Sequence, residues 1–208
     1  MTSPGHEATA RAYISGVLPA LAHLPLERIA AAVEILEAAR LRGSRIFTFG
    51  NGGSATTASH LACDLAKGSA EGTRPRLRAF CLNDSVALTT AWANDTDYEN
   101  VFSARLVELV DPGDVAIAIS GSGRSPNVLN GVQAARLRGA TTIGLSGFGG
   151  GPLSSLVDLA IVTGCTVMEQ VEDIHLLIGH VITTCLRQSA AAPLPAGARP
   201  PSQSLPVA

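Results

Sequence analysis

The chain has 208 residues, with 15 Lys and Arg against 17 Asp and Glu, and a formal net charge of −2. Hydrophobic residues make up 46% and charged residues 15%. This composition excludes a disordered main body, and the length suits one α/β domain. The weak net charge and the aromatic content of 4% disfavour a nucleic-acid-binding protein, which needs positive charge or stacking rings.

The start of the chain bears on where the protein resides. No charged start and apolar core precede a small-residue cleavage site, and no apolar stretch reaches about 18 residues. We therefore expect a soluble, cytoplasmic protein that does not bind a membrane.

The first part of the chain, 1–43, is predicted to be a helical arm. Apolar residues recur at helical spacing over 6–21 and 26–42, and Gly43 is a stop signal for the second helix. Such an arm has to pack on something, either its own domain or another subunit.

From residue 44 to residue 188 the sequence predicts strands that alternate with helices. Five short apolar runs, interpreted as strands, lie at 45–49, 77–82, 114–119, 141–145 and 157–162. Helical segments are predicted at 54–67, 84–94, 99–109, 126–138 and 168–188. Because the runs are apolar throughout, the strands should be buried on both faces, as in a parallel sheet. The pattern predicts a three-layer α-β-α fold with a doubly wound five-stranded parallel sheet.

The last segment, 189–208, is rich in Ala, Pro, Ser and Gly and has little charge. Its five prolines make it a poor helix, so a disordered tail is predicted.

Two loops that follow predicted strands have the composition of phosphate-binding loops. The first is Gly50-Asn51-Gly52-Gly53-Ser54, and the second runs from Ser120 to Pro126 with three serines and two glycines. Each precedes a helix N-terminus, where free N–H groups and the helix dipole attract an anion. Neither loop has the GxGxxG or GxxxxGK[ST] pattern of nucleotide sites. A sugar phosphate fits them, although plain strand–turn–helix connections remain the alternative.

Histidines and carboxylates on two predicted helices form a possible metal site. His60 and Asp64 are four residues apart, so they share one helix face. The last helix is otherwise very apolar, so its charged residues need a partner, a ligand or an interface. A divalent metal could be bound by the set His60, Asp64, Glu172 and His180 if the fold brings the helices together. A salt-bridged helix face is the alternative, and His175 is interpreted as structural.

Four motifs follow one another between about residue 10 and residue 188. They are Gly50-Asn51-Gly52-Gly53-Ser54-Ala55 with His60; Asn94-Asp95 ahead of Tyr98-Glu99; Ser120-x-Ser122-Gly123-x-Ser125-x-Asn127; and Glu172-Asp173-Ile174-His175 with His180. With these motifs the chain resembles the sedoheptulose 7-phosphate isomerases, also called phosphoheptose isomerases, of the sugar isomerase (SIS) superfamily.

The resemblance implies a flavodoxin-like SIS domain at 44–188, a homotetramer with active sites near subunit interfaces, and a bound Zn²⁺. The implied reaction converts D-sedoheptulose 7-phosphate to D-glycero-D-manno-heptose 7-phosphate. The implied catalytic residues are Asp64 as base and His180 as its acid/base partner. The implied metal ligands are His60, Asp64, Glu172 and His180. The implied substrate-binding residues are Asn51, Gly52, Gly53, Ser54, Asp64, Asn94, Asp95, Ser120, Gly121, Ser122, Ser125 and Glu172.

The sequence departs from the family pattern at two positions. The family normally has Glu where this chain has Asp64, and Gln where it has Glu172. Asp is one methylene shorter, and misplacing a base by about 1 Å can cost about a hundredfold in rate. The two changes together keep a carboxylate-rich site, or they mark an isomerase for another sugar phosphate. A further alternative is a non-catalytic SIS tetramer that binds a protein partner such as the bacterial replication initiator.

Overall fold

The computed structural model describes residues 4–69 and 74–191. Within them the chain forms eight α-helices: α1 Pro4–Ala22, α2 Leu26–Arg42, α3 Gly53–Cys63, α4 Val86–Asp95, α5 Ser103–Leu109, α6 Pro126–Leu137, α7 Gly151–Leu156 and α8 Met168–Ala191. The five strands are β1 Arg45–Gly50, β2 Arg78–Cys81, β3 Val115–Ile119, β4 Thr141–Ser146 and β5 Leu159–Val162.

The strands form one parallel sheet in the order β2-β1-β3-β4-β5. The chain reverses its direction of winding between β2 and β3, and ligands bind at such a switch point beyond the carboxyl ends of the strands. The register pairs Gly50 with Ile119, the last residues of β1 and β3, so the loops after them start side by side. The predicted fold class, a flavodoxin-like three-layer α/β fold, is confirmed.

Each face of the sheet has its own hydrophobic core. Along β3 the side chains of Val115, Ile117 and Ile119 belong to the core beneath α2, α3 and α8. Ala116 and Ala118 belong to the core on the opposite face, beneath α5 and α6. Because both faces are covered, both sets of side chains are buried, which explains the continuous apolar runs.

The structure differs from the sequence prediction in four places. Helix α7 was not predicted, because its six residues are too few to show a helical period. The predicted helix 99–109 begins as a 3₁₀ turn, and the predicted helix 54–67 ends in one π-helical turn, Asp64–Gly68. Helix α8 continues to Ala191, past the predicted end at 188. Residues 192–208, most of the predicted tail, lie outside the described residues.

The N-terminal arm packs on its own domain. The Tyr13 hydroxyl on α1 donates to Asp173 Oδ2 on α8 at 2.6 Å, and Gln170 Nε2 donates to the Tyr13 carbonyl at 3.0 Å. The hydrogen bond to Asp173 raises the pKa of Tyr13 to about 12. Ile14 and Leu18, one turn apart on α1, are 63% and 60% exposed, and the packing of the arm in an oligomer stays a prediction.

None of the described helices alone is long and apolar enough to cross a bilayer. Helices α1 and α2 have the length and composition of a membrane span only when they are taken together, and they are bent by 70° relative to each other.

His175 on α8 is buried against the end of β4 and is 1% exposed. Burial lowers the pKa of His175 to about 4, and the Ser146 backbone offsets this shift in part. The ring is therefore neutral at neutral pH, which agrees with its interpretation as a structural residue.

The buried His175 makes stability depend on pH. Its pKa is about 4 in the folded state and about 6.5 when unfolded, so the unfolded chain binds more protons between these values. Stability should therefore fall as the pH falls from about 6.5 to about 4, by up to about 3 kcal/mol from this group. Urea unfolding across this range should show a smaller decrease for His175→Gln than for the wild type. The control His6→Gln, at an exposed position, should keep the wild-type slope; equal slopes for His175→Gln and the wild type would contradict the assignment.

Candidate active site

The two predicted phosphate loops meet in one cavity at the carboxyl ends of β1 and β3. We call 50–54 the glycine loop and 120–126 the serine loop. The cavity has a volume of about 260 Å³. Its lining residues are Asn51, Gly52, Gly53, Ser54, Ser120, Gly121, Ser122, Ser125, Met168 and Glu172. The lining contains no Lys or Arg, so an anion would be held here by hydroxyl and backbone donors.

Two asparagines that were not predicted as site residues hold the glycine loop. Asn83 bridges both backbone groups of Gly50, accepting from its N–H at 3.2 Å and donating to its carbonyl at 2.9 Å. The side-chain amides of Asn51 and Asn127 form two hydrogen bonds: Asn51 Nδ2 donates to Asn127 Oδ1 at 2.8 Å, and Asn127 Nδ2 donates to Asn51 Oδ1 at 2.9 Å. The Tyr98 hydroxyl donates to Asn51 Oδ1 at 3.1 Å. Asn127 is 2% exposed and sits in the first turn of α6; its place in the serine motif was the only sequence signal for it.

The serine loop is shaped by a close backbone contact. Gly123 has φ +65°, and a Cβ there would collide with the Gly150 carbonyl, so only glycine fits. The hydroxyls of Ser120 and Ser125 lie 3.4 Å apart. Helix α6 starts directly after Ser125, with Pro126 in its first turn, and its free N–H groups face the loop.

Beside this cavity, two histidines and an aspartate come together from α3, from the π-helical turn that follows it and from α8. His60 Nε2 lies 3.0 Å from His180 Nε2 and 3.4 Å from Asp64 Oδ2, and His180 Nε2 lies 3.7 Å from the same Asp64 oxygen. All three side chains are partly exposed, with relative exposures of 48%, 52% and 27% for His60, His180 and Asp64. The sequence alternative, a lone salt-bridged face of α3, does not account for His180, which comes from α8.

The spacing of these atoms fits a metal ion. Tetrahedral zinc with bonds of about 2.0–2.1 Å keeps its ligand atoms about 3.3 Å apart. The three observed separations of 3.0, 3.4 and 3.7 Å scatter around that value. Two imidazoles and a carboxylate are also a ligand set that zinc accepts. Among the described residues, His60, Asp64 and His180 form a group that could hold a metal ion, and we refer to these three residues as the metal-binding group.

The remaining predicted site residues lie elsewhere. Glu172, the fourth predicted ligand, is not in this group; its carboxylate lies over Gly53 and lines the cavity. Asn94 and Asp95, predicted to bind substrate, are exposed at the end of α4 outside the cavity. The Asn94 amide donates to Asp95 Oδ1 at 2.9 Å. The structure therefore unites nine predicted residues in the cavity and three in the metal-binding group.

Comparison with known proteins identifies the class. Residues 11–147 match the SIS domain family model. This range includes strands β1 to β4 of the parallel sheet and both ligand loops. The chain is thus an SIS-domain protein.

Relatives within this class are phosphoheptose isomerases. The chain is 37% identical over 154 residues to the phosphoheptose isomerase of Rhodospirillum rubrum, covering 74% of this chain and 81% of the relative. For the enzyme of Paramagnetospirillum magneticum the identity is 40% over 149 residues, with 72% and 77% covered. The solved phosphoheptose isomerase of Neisseria gonorrhoeae superposes with a TM-score of 0.82 at 26% identity, over 88% of this chain and 98% of that one. The chain belongs to the phosphoheptose isomerase family.

The amide pair between Asn51 and Asn127 should be needed for the shape of the glycine loop. Asn127→Ala leaves Asn51 without its buried partner, so we expect a loss of about 1–3 kcal/mol in the free energy of unfolding. Urea denaturation measures this loss. The control Asn130→Ala, on the same helix, removes a bond to the Glu99 carbonyl at a more exposed position and should cost less. Equal losses for the two variants would contradict a special role for Asn127.

Proposed function

We propose that this chain interconverts D-sedoheptulose 7-phosphate and D-glycero-D-manno-heptose 7-phosphate. The observation that carries the proposal is the placement of a phosphate-type cavity beside the group His60, Asp64 and His180. His60 follows Gly53 by seven residues of helix, about 10 Å along the axis. An extended seven-carbon sugar spans about 7–8 Å between C1 and C7, from ordinary C–C bond lengths. A phosphate in the cavity would therefore leave the reacting end of the sugar near the two histidines.

The reaction needs a base and an acid at neighbouring positions. An aldose–ketose isomerase moves a proton between two adjacent carbons through an enediol or enediolate, and the two oxygens exchange a proton as well. In our proposal Asp64 takes the proton from carbon, and His180 passes protons between the oxygens. The partial exposure of both side chains supports these roles, because substrate can reach them.

The phosphate end of the substrate supplies binding energy rather than chemistry. We propose that Ser120, Ser122 and Ser125 and the backbone of both loops hold the phosphate. Binding energy from this remote group can be used to orient the reacting carbons. The hydrogen bonds that Asn83 and Asn127 make with the glycine loop support this role, because they fix the loop before the substrate arrives.

We propose Zn²⁺ as the cofactor, held by His60, Asp64 and His180. When bound, the metal would polarise the carbonyl and hydroxyl oxygens and stabilise negative charge on them. The donor set and the atom spacing support this choice.

Assembly and location complete the proposal. We propose a cytoplasmic homotetramer with active sites near subunit interfaces. The exposed side chains of Ile14 and Leu18 on α1 are apolar surface that a neighbouring subunit would cover. Asn94 and Asp95, exposed outside the cavity, would take part in an active site shared between subunits.

The sequence is also compatible with two other functions. A non-catalytic tetramer that binds a replication initiator needs no base, whereas this chain places Asp64 between two imidazoles. An isomerase for another sugar phosphate would use the same residues, and comparing turnover of sugar phosphates of different length separates it from our proposal.

Replacing Asp64 with Asn should abolish turnover. The amide cannot accept the carbon proton, so we expect a fall in kcat of at least about a hundredfold. Conversion of sedoheptulose 7-phosphate in D₂O, followed by NMR, measures both turnover and the entry of deuterium at the reacting carbon. The control Glu108→Gln, at an exposed position on α5 outside the cavity, should be as active as the wild type. Undiminished turnover by Asp64→Asn would remove Asp64 from the role of base.

Loss of His60 should weaken metal binding. His60→Gln removes one imidazole from the three-residue group, and we expect zinc affinity to fall at least about tenfold to a hundredfold. Competition with a chromophoric chelator measures the affinity without any need for activity. His23→Gln on the N-terminal arm is the matched control and should bind zinc like the wild type. Equal affinities for His60→Gln and the wild type would show that the metal does not bind at this group.

A further inference from the structure

Helix α3 continues into an irregular turn at the residue that the proposed function uses as a base. This turn, Asp64–Gly68, is π-helical, and the Ser69 N–H closes it by donating to the Asp64 carbonyl at 2.9 Å. A π-helical turn is uncommon and is frequently found at functional sites. Because Asp64 is the first residue of the turn, the direction of its side chain depends on the conformation of the turn.

The end of this turn is held by a residue of α8. The last carbonyls of a helix lack partners within the helix. Arg187 Nε donates to the Gly68 carbonyl at 2.7 Å. An arginine is favourable at such a position, because it can donate to these carbonyls and its charge offsets the negative end of the helix dipole. The hydrogen bond therefore ties α8 to the turn that carries Asp64.

The residue after the turn is held by buried side chains. Ser69 is 0% exposed, and its hydroxyl donates to the Leu65 carbonyl at 2.6 Å. Arg40 on α2 is 1% exposed, and its Nη2 donates to the Ser69 carbonyl at 3.3 Å. Burial lowers the pKa of Arg40, and Glu37, with Oε1 3.6 Å from Arg40 Nη1, offsets this shift in part. The turn is thus tied to the domain core as well as to α8.

Arg187 is also connected to the site through His180. The two residues are seven apart on α8, so they lie on the same face of the helix, two turns from each other. A Cβ on Gly68 would lie 3.7 Å from both Arg187 Nη2 and Asp64 Oδ1, so the guanidinium and the carboxylate flank Gly68. The other Asp64 oxygen, Oδ2, lies 3.7 Å from His180 Nε2. One hydrogen bond therefore connects the two elements whose side chains meet in the metal-binding group.

We propose that Arg187 is a positioning residue for Asp64. By holding the Gly68 carbonyl, it fixes the π-helical turn against α8 and sets the distance between the Asp64 carboxylate and His180. Aspartate has a short side chain with few rotamers, so its carboxylate follows the backbone and cannot compensate for a displaced turn. A displacement of about 1 Å can cost about a hundredfold in rate. The proposal rests on the proposed function, because it takes Asp64 to be a base and a metal ligand.

Three variants separate the hydrogen bond from other effects of Arg187. Arg187→Met removes the donor and keeps a long side chain. Arg187→Gln places an amide nitrogen at the same position along the side chain as Nε, so it can keep the bond to the Gly68 carbonyl. Arg42→Met is the matched control, because Arg42 Nη2 donates to the Gly113 carbonyl at 3.2 Å, just before β3 and thus at the end of the sheet opposite to the cavity.

The first measurement is zinc affinity, by competition with a chromophoric chelator. Residues that orient metal ligands contribute about tenfold or more to metal affinity, so we expect a fall of about tenfold for Arg187→Met. Arg187→Gln and Arg42→Met should bind zinc like the wild type. Urea unfolding should show similar losses of stability for the two methionine variants, which a merely structural role of Arg187 would also produce. Equal zinc affinities for all four proteins, or an equal fall for Arg187→Met and Arg187→Gln, would overturn the proposal.

The second measurement is the turnover of sedoheptulose 7-phosphate. Arg187→Met should lower kcat about tenfold and leave KM nearly unchanged, because the change displaces the base and does not touch the phosphate-type cavity. Arg187→Gln and Arg42→Met should retain the wild-type kcat. A raised KM with an unchanged kcat for Arg187→Met would contradict the positioning of a base.

The two measurements separate failure of this proposal from failure of the proposed function. A fall in zinc affinity for Arg187→Met alone, in a protein whose wild type does not convert sedoheptulose 7-phosphate, would keep the positioning role and reject the proposed substrate. Conversion of that sugar by the wild type and by Arg187→Met at the same rate, with equal zinc affinities, would keep the isomerase and reject the positioning role.

Discussion

The packing of α3 against α8 is the interaction on which the candidate active site depends. Leu61 on α3 and Ile178 and Ile182 on α8 are buried in one hydrophobic core, and each such side chain contributes about 1.5–3 kcal/mol when fully buried. Gly179 on α8 faces Leu61 across this contact: a Cβ at 179 would lie 3.5 Å from a Leu61 methyl group, an ordinary van der Waals distance. Apolar packing on one side of these helices thus sets the positions of polar side chains on their exposed side.

The same pair of helices gives the site two chemically different ends. At the start of α3, the glycine and serine loops offer neutral donors, and the cavity is lined by no lysine or arginine. Two turns further along, His60 and His180 approach within 3.0 Å of each other beside Asp64. A substrate with an anion at one end and a carbonyl at the other matches this division. Neutral donors also suit reversible binding, because they avoid the strong, salt-dependent attraction of a basic pocket.

The glycine loop is held in place by side-chain amides rather than by charged groups. Asn127, in the first turn of α6, is almost fully buried and hydrogen-bonds to Asn51 in the glycine loop, 76 positions earlier in the chain. The Asn83 side chain holds Gly50 in a similar way, through hydrogen bonds to its backbone N–H and carbonyl. These hydrogen-bonded amides favour one arrangement of the loops, because another arrangement would break the hydrogen bonds and leave the buried Asn127 amide unpaired. The loops of the site can therefore be set before a ligand binds.

The sequence by itself determined the fold class, the two ligand loops and the presence of histidines and carboxylates on two helices. It could do so because these features are local: apolar runs such as 115–119 mark buried parallel strands, and glycines and serines after a strand mark a ligand loop. The tertiary structure decided which of those side chains meet. Only the packing of α3 on α8 brings His180 to His60 and Asp64, and only that packing places Glu172 over Gly53 instead of in the metal-binding group. Contacts between residues more than 100 positions apart depend on how the layers stack, and helical periodicity carries no information about that.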